Sequence, residues 1–115
     1  MESDNRSWAD RFRAQGEKWA DLHNAAQLLD DMKGVVFAQK VNALLANDPK
    51  MAVNRAENEI KSSDDWEEYV RSCVAASHQD NLAKIELEFM KMKLQEYQGQ
   101  QANELQELKM TMGGG

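Results

Sequence analysis

The sequence predicts an all-α fold: an elongated helical hairpin or bundle with a long, coiled-coil-like C-terminal helix that is expected to be oligomeric. Three observations lead to this prediction. The 115 residues contain a single proline, the residue that interrupts helices most strongly. Three of the six glycines close the chain, so few interior positions disfavour helix. Apolar residues recur at spacings of three and four, as on a helix with one buried face.

The first helix is expected over residues 7–46. Ser7, with Asp10 three positions later, has the pattern of a capping box at a helix start. Trp8, Phe12, Trp19 and Leu22 are the expected anchors of its packing face. Gly16 and Gly34 are the positions where the helix is weakest, and a break at Gly34 is left open. The apolar stripe comprises Phe12, Trp19, Leu22, Ala26, Leu29 and Val36, extended by Phe37, Val41, Leu44 and Leu45.

A second, short helix is expected over residues 49–61. Pro49 suits the first position of a helix, and Asp48 can cap it. The run 62–65, Ser-Ser-Asp-Asp, predicts a turn and the N-cap of a third helix over residues 64–112. Residues 1–112 are thus expected to form one helical domain, followed by a flexible glycine tail over residues 113–115.

The third helix carries two apolar stripes, about 140° apart at 100° per residue. Two faces require two packing partners, one within the chain and one between chains. Whether this helix runs through Gly99 without a break stays open. The predicted seam between chains comprises Leu87, Met90, Leu94, Tyr97, Leu105 and Leu108. The second packing face comprises Leu82, Ile85, Phe89 and Met92.

Residues that carry chemistry are sparse. Cys73 is the only cysteine, and no base lies on its helical face to activate it. The two histidines, His23 and His78, have no further ligands at metal-binding spacing. The chain has no glycine-rich phosphate loop and no nucleophile elbow. We therefore expect a protein without enzymatic activity, cofactor or metal.

Two sets of residues, one basic and aromatic and the other acidic, are candidate binding surfaces. Cations alternate with aromatic rings near the N-terminus, a mixture that can hold single-stranded nucleic acid, although the net charge of −6 opposes phosphate binding. This candidate nucleic-acid patch comprises Arg6, Trp8, Arg11, Arg13, Lys18 and Trp19. The third helix also offers an acidic surface to a basic partner. Its candidate residues are Glu86, Glu88, Glu96, Glu104 and Glu107.

No export signal is recognisable, and no 18 apolar residues run together. A cytoplasmic protein that neither spans nor binds a membrane is therefore expected.

The second half of the chain resembles small helical proteins encoded in recombination gene cassettes of tailed phages and prophages. A short helix, an acidic-aromatic helix start, and a long helix that ends in an aromatic residue and an Ala/Glu-rich tail carry the resemblance. The matching stretches are 52–60, 65–70, 83–89, 93–98 and 102–104. The resemblance implies an accessory protein in a bacterial host cell, working as a loader or scaffold beside a recombinase, an annealing protein or a single-strand-binding protein.

The leading functional hypothesis is a non-enzymatic, homo-oligomeric interaction protein that serves DNA recombination. Two alternatives stay open. The acidic helix surface suits an inhibitor of a host defence or nuclease complex, and the N-terminal patch suits direct binding of single-stranded nucleic acid.

Overall fold

The computed structural model describes residues 7–113, with side chains for residues 7–111, and this range contains three α-helices and no strand. Helix α1 spans Trp8–Asn47, α2 spans Val53–Lys61 and α3 spans Asp64–Gly113. The all-α class and the long C-terminal helix are confirmed. At a rise of about 1.5 Å per residue, α3 is about 75 Å long.

Both long helices pass their interior glycines without a break. Helix α1 continues through Gly16 and Gly34, and α3 continues through Gly99. A Cβ atom at Gly34 or Gly99 would meet nothing within 4 Å, so neither glycine is needed for close packing. Of the predicted glycine tail, Gly113 is the last residue of α3, and residues 114 and 115 lie outside the described range.

Helix α2 begins at Val53, four residues later than the sequence predicts. Asp48 does not cap a helix at Pro49. Its backbone N–H donates to the carbonyl of Leu44 at 3.0 Å, and its own carbonyl accepts from the N–H of Met51 at 3.1 Å. The proline thus lies in a turn, and α2 starts only after Ala52, which is extended and makes no side-chain cap.

Ser63 caps the first turn of α3 and lies in the run 62–65 where the sequence predicts the N-cap. Its hydroxyl oxygen accepts a hydrogen bond from the backbone N–H of Trp66 at 3.3 Å and its O–H donates to the carbonyl of Ile60 at 2.7 Å. One serine therefore satisfies the last turn of α2 and the first turn of α3. Acidic residues follow in the first turn of α3, where the helix dipole favours negative charge.

The chain divides into two compact units, and α1 and α3 each contribute a stretch to both. The central unit is Ala20–Asn81 and contains α2. The terminal unit combines Met1–Trp19 with Leu82–Gly115.

The core of the central unit is small and aromatic. Val41 is 7 % exposed and Ala56, from α2, is fully buried. Phe37 of α1 meets Trp66 of α3 edge to face, with ring centroids 5.0 Å apart. Trp66 in turn stacks on Tyr69 at 5.6 Å. These rings hold α1 and α3 together in this unit, because aromatic side chains bury large areas and gain from such geometry.

The Tyr69 hydroxyl binds to the backbone of the neighbouring helix. It donates to the carbonyl of Leu29 at 2.7 Å. Burial raises the pKa of Tyr69 above its ordinary value of 10.0, with further contributions from Cys73 and Asp30. The contact therefore requires the protonated phenol, and ionisation would break it.

We expect Tyr69→Phe to lower the melting temperature by about 3 to 6 °C, because the Leu29 carbonyl loses the phenol donor and keeps only the weak thiol donor of Cys73. The folded-state pKa is raised, so this stabilisation is complete below pH 10 and is lost as pH rises through the folded-state value. The difference between wild type and variant should thus shrink above pH 10. Thermal denaturation followed by circular dichroism measures it, with Tyr97→Phe as an exposed control. An equal shift in both variants would contradict the assignment.

Candidate interaction surfaces on α3

In the terminal unit, the first turns of α1 pack against α3. Gln15 interrupts the apolar stripe of α1, and its side-chain amide donates to the carbonyl of Ala83 at 3.1 Å. A Cβ at Gly16 would lie 4.0 Å from the Leu87 side chain. Ala83 and Met90 are 5 % and 7 % exposed. The two helices thus pack along Ala83, Leu87 and Met90 of α3, and one polar contact joins them.

This packing corrects the predicted seam between chains. Met90 is buried and Leu87 and Leu94 are half-buried within the single chain. The terminal unit consists of the start of α1 and the second half of α3. These three side chains of α3 therefore pack against α1 of the same chain. Only Tyr97, Leu105 and Leu108 of the predicted seam stay exposed.

The predicted second packing face is the exposed one. We call Leu82, Ile85, Phe89 and Met92 the proximal face. Their side chains are 46 %, 61 %, 47 % and 50 % exposed, and the spacings of three, four and three residues bring them onto one side of α3. Four large apolar side chains in a row on a regular helix are typical of a surface that pairs with another helix.

Opposite charges flank the proximal face. Glu88 is exposed on one side of it, and Lys93 lies on the other. The Lys93 ammonium is 5.5 Å from the centroid of the Phe89 ring and 3.5 Å from a carboxylate oxygen of Glu96. Glu88 and Lys93 are five positions apart in the sequence. Oppositely charged residues of two chains pair at this offset in parallel coiled coils.

A second apolar surface lies nearer the C-terminus. We call Tyr97, Leu105 and Leu108 the distal stripe; they are 56 %, 54 % and 55 % exposed. All side chains from Gln95 to Thr111 are exposed. The amide of Gln101 donates to the Tyr97 hydroxyl at 2.8 Å and bridges the interval between Tyr97 and Leu105. The stripe continues the line of Leu87, Met90 and Leu94 along the same side of the helix.

A notch lies where the distal stripe meets the start of α1. Trp8, Lys93, Leu94 and Tyr97 line this open space of about 350 Å³. The indole N–H of Trp8 is buried and has no hydrogen-bond partner in the part of the chain that the structure describes. A buried donor without an acceptor is uncommon in folded proteins.

The candidate nucleic-acid patch is not assembled as one surface. The Trp8 and Trp19 rings are half-buried, and the Arg11 guanidinium covers the Trp8 ring at 5.1 Å. Arg13 forms an exposed ion pair with Glu17 at 3.2 Å and lies about 160° around α1 from Arg11. Lys18 is exposed and lies within about 20° of Arg11. Arg6 lies outside the described residues.

The five candidate acidic residues are all exposed on α3. Helix geometry brings four of them, Glu86, Glu96, Glu104 and Glu107, within an arc of about 80°. Glu88 lies about 160° from Glu86. Lys93 interrupts the arc and is paired with Glu96. The acidic surface is thus a broken stripe, and its Glu96 and Glu107 lie in line with the proximal face, nearer the C-terminus.

His23, Cys73 and His78 all lie in the central unit. The Nδ1 atom of His23 lies 2.9 Å from a carboxylate oxygen of Asp80, and His78 is exposed. Cys73 is a half-buried free thiol whose sulfur lies 3.9 Å from the carbonyl oxygen of Leu29. Across residues 7–113, no three His, Cys, Asp or Glu side chains are grouped to hold a metal ion. No described helix has an apolar stretch long enough to span a bilayer.

One exposed apolar stripe was missed in the sequence. Leu28, Met32 and Val35 are 63 %, 40 % and 46 % exposed on the α1 stretch of the central unit. The spacing of four and three residues was the available signal. The stronger neighbouring stripe through Leu29 and Val36 obscured it, because the two stripes share the same period.

Comparisons of the chain with protein-family models, with curated proteins and with solved structures found no match.

Proposed function

We propose that this chain is a non-enzymatic helical interaction protein that pairs with copies of itself through α3 and serves as an accessory or loader in DNA recombination, in the cytoplasm of a bacterial host. The observation that carries the self-pairing is the proximal face. Water contacts about half of each of its four large apolar side chains, and removing that contact is the main favourable term in association.

A second copy of α3 is the occupant that the flanking charges favour. In a parallel, in-register pair, Glu88 of each chain lies beside Lys93 of the other, as in the contacts between adjacent heptads of a coiled coil. In an antiparallel pair centred on this face, Glu88 would approach Glu88 of the other chain and Glu86 would approach Glu86. Like charges at such positions oppose pairing. The proximal face therefore suits a parallel pair.

The role in recombination has a different basis. It rests on the likeness of about residues 52–110 to small helical proteins of phage recombination cassettes. Residues 7–113 offer extended helical surfaces, as a scaffold or loader requires. A recombinase, an annealing protein or a single-strand-binding protein is the expected partner.

The inhibitor hypothesis is the second candidate, because all five glutamates of the acidic surface are exposed. A host defence or nuclease complex with a basic groove is the partner it requires.

Direct binding of single-stranded nucleic acid is disfavoured, since base stacking needs accessible rings and the Trp8 ring is half-buried and covered by Arg11.

We expect Phe89→Glu to weaken self-association at least tenfold, because it places a charge in the apolar contact. Sedimentation velocity over a range of concentrations measures the change. Gln95→Glu adds the same charge at an exposed position outside the face and should leave the sedimentation coefficient unchanged. If the mass of Phe89→Glu matched the wild type at every concentration, the proximal face would not be an interface.

Glu88→Lys and Lys93→Glu should each weaken pairing by about threefold to tenfold, since each creates two like-charge contacts in a parallel pair. The double variant restores opposite charges and should return to wild-type affinity. The test is the dissociation constant at low and high salt, because screening should reduce the differences. A double variant as weak as the single variants would exclude the parallel arrangement.

We expect the protein to accelerate strand annealing by a phage annealing protein on DNA coated with bacterial single-strand-binding protein. Phe89→Glu should lose most of this acceleration and Gln95→Glu should keep it. A fluorescence annealing assay with purified components gives the rates. No acceleration with any pair of these proteins would contradict the loader role, whereas binding of the protein to the naked oligonucleotide would support the nucleic-acid alternative.

A further inference from the structure

Glu96 lies on the same line of α3 as the proximal face. It follows Met92 by four residues and so continues the spacings of three, four and three that define the face. At about 100° per residue, it falls within the arc that the four apolar side chains span. Its side chain is 58 % exposed. A carboxylate therefore takes the next position of an otherwise apolar row.

In the free chain, Glu96 binds the lysine that has to exchange partners when two chains pair. The Lys93 ammonium lies 3.5 Å from a carboxylate oxygen of Glu96 and 5.5 Å from the centroid of the Phe89 ring. Lys93 thus lies over a ring of the proximal face that a second helix has to cover. Burying an ammonium group in an apolar contact costs free energy. Lys93 must therefore leave both the ring and Glu96 before it can pair with Glu88 of the other chain.

In the parallel pair, Glu96 meets the same residue of the other chain. Equivalent positions of the apolar row face each other across a parallel seam, and packed helices lie about 8–10 Å apart. Two carboxylates at such a position repel each other and lose part of their hydration. Glu96 thus opposes self-pairing twice, once in the free chain and once in the pair.

We propose that Glu96 determines the specificity of the proximal face: it weakens pairing with a second copy and favours a helix of the same apolar spacing that carries a basic side chain opposite it. This inference rests on the proposed self-pairing through the proximal face. Interfaces obtain specificity from a repulsive contact in one complex as well as from attraction in the other. A single polar residue in the seam of a coiled coil selects partners in this way, at a cost in stability.

Glu96→Gln should lower the dissociation constant of self-pairing about threefold to tenfold, because it removes both effects. Sedimentation velocity over a range of concentrations measures the change. Glu104→Gln is the matched control, since it removes the same charge from an exposed position of α3 outside the apolar row, and it should leave the dissociation constant unchanged. A Glu96→Gln chain that pairs no more tightly than the Glu104→Gln chain would overturn the proposal.

Phe89→Glu separates this inference from the proposed self-pairing. Added to Glu96→Gln, it should abolish the gain in affinity, and a gain that survives it would overturn the proposal. If the wild type and Glu96→Gln are both monomeric at every concentration, the proposed self-pairing itself fails. If the wild type pairs through Phe89 and Glu96→Gln pairs no more tightly, only the role of Glu96 fails.

Mixed pairs test the specificity directly. In a dimer of the wild type with Glu96→Lys, opposite charges meet at position 96, whereas each chain alone brings like charges together. Native mass spectrometry distinguishes the three dimers when one chain is isotopically labelled. We expect mixed dimers to exceed the proportion that random exchange gives, and the excess to fall at high salt. A random proportion at low salt would overturn the proposal.

Discussion

The close contact between α1 and α3 determines what the rest of this molecule can do. In the terminal unit, Ala83 is almost fully buried, the Leu87 side chain lies at contact distance from position 16, and Gln15 donates to the Ala83 carbonyl. Close approach selects one side of α3 for the interior. Because that side is occupied, the remaining apolar side chains of the helix must face solvent or another molecule. The exposed surfaces are thus a consequence of how the inner one is packed.

The buried core of the described residues is thin. Val41, Ala56, Ala83 and Met90 are its buried apolar side chains, and no large side chain is completely buried. Area removed from water is the chief source of stability, so a chain that leaves this much apolar surface exposed gains more from association than a compact domain of the same length does. The two exposed surfaces of α3 differ in their surroundings. Charged side chains flank the proximal face, whereas the distal stripe leads to the end of α1.

The sequence was sufficient to predict the helices but not the partners of their faces. Helix class and the Ser63 cap follow from local preferences, which are written in neighbouring residues. The start of α2 was misplaced because Pro49 is equally compatible with a turn. Both stripes of α3 were found, but Leu87, Met90 and Leu94 of the stripe assigned between chains pack within the chain. Both stripes are rows of large apolar side chains. Which stripe packs inside the chain therefore depends on contacts between residues that are far apart in the sequence. Ala83, a small residue on the line of Leu87 and Met90, was the local sign of the inner side. The Trp8 notch combines residues more than 80 positions apart and has no signature in the sequence.

In each unit a side chain binds a main-chain carbonyl of the opposite helix: Gln15 reaches Ala83, and Tyr69 reaches Leu29. Apolar residues repeated every three or four positions tolerate a slide of seven residues, because similar side chains meet again after one heptad. A directed hydrogen bond does not tolerate such a slide, because the donor would move away from its acceptor. A slide of α1 past α3 by one heptad would break the bond of the unit in which it occurs. Each of these two bonds therefore sets the register of α1 against α3 in its own unit.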